Sequence, residues 1–181
     1  DERERLRKAL EEVRRTVEKL VRENEELLKK VEERVRRLND EDRRLVEEIK
    51  RRADELRKRG EATDEVIERI RKVLTDSERI SREILRKLEE MLDRSRKIVE
   101  EILRELERVL REIEELVKRV TNDEVIRRVE DELRKVLEDI KRLSDKNKRD
   151  LEEALRDIER LVKENNKRLK EALDDLERAA T

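Results

Sequence analysis

The chain contains no cysteine, proline, histidine, phenylalanine, tyrosine or tryptophan, and its 181 residues include one glycine, Gly60. Each absence removes a class of structure or chemistry. With no proline and one glycine the usual punctuation of strands and β-turns is missing, so the backbone is free to be helical almost throughout. Without cysteine there are no disulfides and no zinc–thiolate sites. Without histidine the chain lacks the usual proton shuttle and the commonest metal ligand. Without aromatic rings nothing stacks on a base, a sugar or a flavin. No apolar run approaches the ~18 residues of a membrane span, and no signal-peptide pattern opens the chain. The expected product is soluble and carries no targeting signal, so a host cell expressing it would keep it in the cytoplasm.

What is present is charge and branched aliphatic side chains. Charged residues make up 58% of the sequence and hydrophobic residues 33%, yet the net charge is only -1. High net charge with few apolar residues favours disorder; here the charges cancel, and the apolar third is mainly Leu, Val and Ile at regular spacing. That composition suits a long narrow core, and the length fits a single domain spanning 1–181.

Two places join a helix stop to a helix start. In "LRKRGEATDEVI", Arg57, Lys58 and Arg59 put positive charge on a C-terminus, and Gly60 can take the left-handed conformation just beyond it. Thr63 then caps the next helix, with Asp64 and Glu65 in its first turn. In "LVKRVTNDEVI", Lys118 and Arg119 close one helix and Thr121 or Asn122 caps the next, Thr121 and Glu124 forming a candidate capping box. The expected helices are 2–59, 64–119 and 123–179, each roughly 85 Å long at 1.5 Å per residue. Short loops make sequential helices antiparallel neighbours. The predicted fold is therefore all-α, an elongated antiparallel three-helix bundle of coiled-coil type.

Three other segments have the look of loops: "RLNDEDRR" around Asn39, "VLTDSERIS" around Thr75, and "RLSDKNKRD" around Ser144. A loop resets the apolar rhythm, and these do not. In the second helix Ile67, Leu74, Ser81, Leu88, Ser95, Ile102, Val109 and Leu116 recur every seven residues. A companion seam runs Ile70, Ser77, Ile84, Met91 and Ile98, then Leu106, Ile113 and Val120. The third helix keeps step through Ile140, Asn147 and Ala154, and through Leu137, Ser144 and Leu151. The first does so through Val17, Asn24 and Val31, and through Val35, Asp42 and Ile49. Phase survives all three segments, which predicts continuous helices rather than five or six short ones.

The polar residues inside these seams are not scattered. If Arg59 faces Asp64, facing positions in the first two helices sum to about 123; if Val120 faces Asp123, those in the second and third sum to about 243. One layer then contains Asn24, Ser95, Asn147 and Ser144. The other contains Asp42, Ser77, Ser81 and Asn165, with Asn39 a further candidate. An unpaired buried polar group costs on the order of 1–3 kcal/mol. Asn and Ser carry donors and acceptors, so a cluster of them satisfies itself across helices and fixes their register. The plainer reading leaves some of them at the seam edge, bonded to water.

The same residues weigh against chemistry. Asp42 is the one carboxylate in a seam, and no nucleophile–base–orienter set can be assembled, so the expectation is no enzyme, no catalytic residue, no cofactor and no metal site. Di-metal helical bundles need inward Glu-x-x-His pairs, and the chain has no histidine. Its abundant acids belong to helix-surface pairs such as Glu11 with Arg15, Glu114 with Lys118 and Glu115 with Arg119. Basic clusters are interrupted by acids, which argues against nucleic acid, and no broad apolar face with aromatic anchors offers itself to a membrane. No partner is required. One stripe on the second helix, Leu85, Leu92, Val99, Leu103, Leu110 and Val117, is wide enough to drive self-association if two neighbouring helices do not cover it.

The Arg/Lys/Glu surface, the Leu/Ile/Val core, the "RGEATDEV" loop and the Asn/Ser layers together resemble de novo designed helical bundles with buried hydrogen-bond networks. The resemblance covers the whole chain and is one of style, matching rules for patterning, capping and register control. It implies a structural scaffold with no native substrate or cofactor. The rival expectation is an interaction module, one protomer of a designed helical-bundle oligomer.

Overall fold

A computed structural model of the chain describes residues 2–119 and 122–180. They form three helices, α1 (Glu2–Lys58), α2 (Asp64–Arg119) and α3 (Asp123–Ala179), packed as an all-α three-helix bundle. No strand occurs among the described residues. The segments around Asn39, Thr75 and Ser144 are helical throughout, as the unbroken phase predicts. A Ser/Thr-x-x-Glu motif caps a helix only where the preceding backbone leaves the helical region; here the seam residues on both sides hold it helical. Thr75 instead donates from Oγ1 to the carbonyl of Arg71, one turn back at 2.9 Å.

The helix ends follow from local chemistry. Gly60 lies at φ 68°, the left-handed region where a Cβ is strained. Its amide donates to the carbonyl of Arg57 at 3.1 Å, and the Glu61 amide donates to that of Leu56 at 3.0 Å. These two bonds are the Schellman closure, and they satisfy carbonyls that a helix end leaves bare. Thr63 Oγ1 accepts from the Val66 amide at 3.3 Å, and Asn122 Oδ1 accepts from the Val125 amide at 2.9 Å, capping α2 and α3. Thr121, the other cap candidate, and Val120, the last residue of the companion seam, lie outside the described residues.

The chain divides into two compact units. Unit 1 comprises Asp1–Lys30 and Leu92–Glu152. Its core includes Val13, Val17, Ile102, Val109, Leu133 and Ile140, with Val17, Ile102 and Ile140 wholly buried. Unit 2 comprises Val31–Met91 and Glu153–Thr181. Its core includes Ile49, Leu56, Ile70, Leu169, Ala172 and Leu176. Burying each large aliphatic side chain contributes about 1.5–3 kcal/mol, and the charged outer faces leave no other place for them.

One seam position departs from expectation. Leu116 is 42% exposed, whereas Ile113 beside it is 4% exposed. Val109, one heptad earlier on the same seam, is 1% exposed, so the seam stays buried until its last step. In the final turns of α2 the buried face is carried by Ile113, with Val117 half-buried. The stripe on α2 is mixed: Leu92, Val99 and Leu110 are buried, Leu85 and Val117 are half-buried, and Leu103 is 40% exposed.

Candidate functional site

Two groups of buried polar side chains are the molecule's distinctive feature, one in each unit. In unit 1, Asn147 Nδ2 donates to Asn24 Oδ1 at 2.8 Å. Asn24 Nδ2 donates in turn to Ser144 Oγ at 2.7 Å and to the carbonyl of Leu20 at 2.6 Å. All three side chains sit on seam positions, so helix packing leaves them at most 1% exposed. Ser95 is equally buried, at 1%, yet its Oγ has no hydrogen-bond partner in the protein. It lies on α2 in the same unit and does not join the network. At the group's edge Lys148 Nζ pairs with Glu23 at 3.0 Å, holding the Glu23 carboxyl below its ordinary value of 4.5 by donating a hydrogen bond and by its charge.

In unit 2, Asp42 is the centre. Asn165 Nδ2 donates to its Oδ2 at 3.0 Å and Asn166 Nδ2 to its Oδ1 at 3.1 Å. Asp42 is 2% exposed, and desolvation raises its pKa above the ordinary 3.8 despite the two amide donors, which pull the other way. Asn165 is 1% exposed, and its Oδ1 accepts no hydrogen bond from the protein. Ser81 Oγ donates to Asn39 Oδ1 at 2.8 Å. Ser77 is buried beside them and, with Asp42, Val46, Leu74, Ser81 and Asn165, borders a surface groove of about 610 Å³.

Position by position, the sequence-expected set divides. Asn24, Ser144 and Asn147 are brought into one network, and Asp42 and Asn165 into another. Ser95 is buried without a partner, and Ser77 is buried in the groove wall. Ser81, half-buried, pairs with Asn39 rather than with the Asp42 expected level with it. Asn39 lies one turn away from Asp42 on α1, and its amide oxygen takes the Ser81 hydroxyl. The facing register sets Ser77 level with Asn165 or Asn166; Asn166, beside the seam, bonds Asp42.

The charged surface repeats the register of these networks. Arg5–Glu130, Arg34–Glu159, Arg52–Glu177 and Glu23–Lys148 each join α1 to α3 across 125 residues. Most other ion pairs lie within one helix, including Glu11 with Arg15 at 3.9 Å, while Lys118 meets Glu115 at 3.8 Å rather than Glu114. Exposed pairs of this kind are weak and screened by salt. Among the described residues no three His, Cys, Asp or Glu side chains gather as a metal site requires. No described helix is long and apolar enough to cross a membrane.

Comparison of the chain with protein-family models, with curated proteins and with solved structures finds no match.

Proposed function

We propose that the chain is a structural scaffold, a de novo designed helical bundle with no native substrate, whose buried polar layers specify helix register. The observation that carries this reading is the equal separation of the two networks: Asn24 with Asn147 and Asp42 with Asn165 are each 123 residues apart. An aliphatic seam repeating every seven residues tolerates a slip of one heptad. A polar pair does not, because the slip sets both partners against aliphatic side chains. The absence of any matching family accords with a designed origin, as does the economy of the two loops.

A second reading, an interaction module that completes a helical-bundle oligomer, draws on one observation. Leu103 and Leu116 are 40% and 42% exposed on α2. In unit 1 the floor of a groove of about 640 Å³ is formed by Leu6, Leu10, Leu110 and Val117. Light scattering across micromolar concentrations, on the parent and on Leu103→Glu/Leu116→Glu, separates the two. The scaffold reading expects monomers throughout. A stable dimer that the double variant dissolves replaces it with the module.

A further inference from the structure

The unit 2 network is incomplete in a way that points to a ligand of its own. Asn165 presents one amide group to Asp42. Its Nδ2 donates to Oδ2 at 3.0 Å, while its Oδ1 accepts no hydrogen bond from the protein although the side chain is 1% exposed. A primary amide and a carboxylic acid form a closed ring when the amide N–H donates to one carboxyl oxygen and the acid O–H donates to the amide oxygen. One of the two hydrogen bonds of that ring is present. The second needs a proton on Asp42 Oδ1.

We propose that the Asp42–Asn165 pair is a buried proton-binding site, in which a solvent proton taken up on Asp42 Oδ1 is donated to Asn165 Oδ1 and closes an acid–amide ring between α1 and α3. No other bond breaks, and the proton returns to solvent on deprotonation. Uptake removes a buried charge that no ion pair compensates, and it gives the orphaned acceptor its donor. Asn166 opposes it. Its amide donates to Asp42 Oδ1 at 3.1 Å, and that bond is strongest to a carboxylate. Burial acts in the direction of uptake, raising the Asp42 pKa above 3.8. This inference goes beyond the scaffold reading and does not depend on it.

Other charges face Asp42 from all three helices. From α1 Glu41 opposes its ionisation, and Arg43, Glu47 and Lys50 line the groove with it. From α2 the groove carries Arg71, Glu78 and Arg82, and from α3 Lys170 favours the ionised form. Glu41, Glu47 and Glu78 are the other carboxylates beside Asp42, and substitution separates them from it.

The sign follows from linkage. Between the ordinary value of 3.8 and the raised folded value, the native state binds more protons than the unfolded chain. The contribution of Asp42 to stability is therefore full below that window and is lost as pH rises through the folded pKa. The remaining carboxylates contribute their own pH dependence, so the quantity to follow is the difference between the parent and Asp42→Asn.

Carbon-detected NMR of the full chain tests the site. The Asp42 carboxyl carbon is expected to titrate above 3.8, with the Asn165 side-chain carbonyl carbon moving at the same midpoint. Asp42→Asn should abolish the Asn165 response, while Glu41→Gln, Glu47→Gln and Glu78→Gln should leave it in place. Asn166→Ala should move the Asp42 midpoint further up. An Asp42 midpoint at or below 3.8, an Asn165 carbon that stays flat while Asp42 titrates, or an unmoved or lowered midpoint in Asn166→Ala overturns the proposal.

Discussion

Asn147 and Asn24 are bonded amide to amide at 2.8 Å across 123 residues, and neither side chain is more than 1% exposed. A slip of α3 by one heptad would set Asn24 against Ile140 or Ala154 instead of Asn147. The same slip would set Asp42 against Ile158 or Ala172. Each alternative keeps the aliphatic rhythm and strands a polar group, so the pairs discriminate between packings that hydrophobic burial alone leaves nearly degenerate.

Replacing one member should therefore cost more than replacing two. Asn147→Leu leaves Asn24 Oδ1 without its donor and should lower unfolding free energy by about 1–3 kcal/mol. Asn24→Leu with Asn147→Leu removes both groups, and the freed Ser144 hydroxyl can turn back to its own helix. Urea unfolding should place the double variant at or above the single, with light scattering reporting new oligomers as register control is lost. A double variant that loses the sum of two single losses would mean that the two amides are not coupled.

Ser95 gives the opposite sign. Its Oγ is buried without a partner, so Ser95→Ala removes a desolvated hydroxyl and adds helix propensity. The expected gain is about 1–2 kcal/mol, read as a higher urea midpoint at unchanged m-value. A loss would reveal a hydrogen bond to Ser95.

Gly60 isolates a backbone effect. A Cβ built there meets nothing within 4 Å, so only the left-handed φ of 68° opposes a side chain. Gly60→Ala should cost about 1 kcal/mol, and Gly60→Asn less, since asparagine visits this region more readily. Thermal unfolding of the three proteins gives the order directly.

Glu23 and Lys148 predict an acid-side dependence. The Glu23 pKa is lowered, so its contribution is present above the ordinary 4.5 and is lost as pH falls through the folded value. Lys148→Met should return the Glu23 titration, followed by side-chain NMR, toward 4.5. An unmoved titration would leave the pair without energetic weight in solution.

Much of the fold was legible because one force dominates it. Gly60, Thr63 and Asn122 mark the ends of helices by local backbone chemistry, and the seven-residue rhythm through Ser81 and Asn147 marks continuity. What was not legible lies where distance along the sequence stops being informative. Leu116 stands on the seven-residue repeat yet is exposed, because in the last turns of α2 the buried face is carried by Ile113. Ser81 required knowing that Asn39, beside the seam, turns its amide oxygen toward α2.

The sequence by itself determined the three helices, their caps and the identity of most polar residues turned inward, because propensity, capping and amphipathic period act over a few residues. Tertiary structure decided which of those polar residues met. Asn166 entered the network, Ser95 was left without a partner, and Asn165 was held with one oxygen unpaired against a buried carboxylate. Those outcomes depend on angstrom-scale register between helices more than a hundred residues apart, which no local pattern encodes.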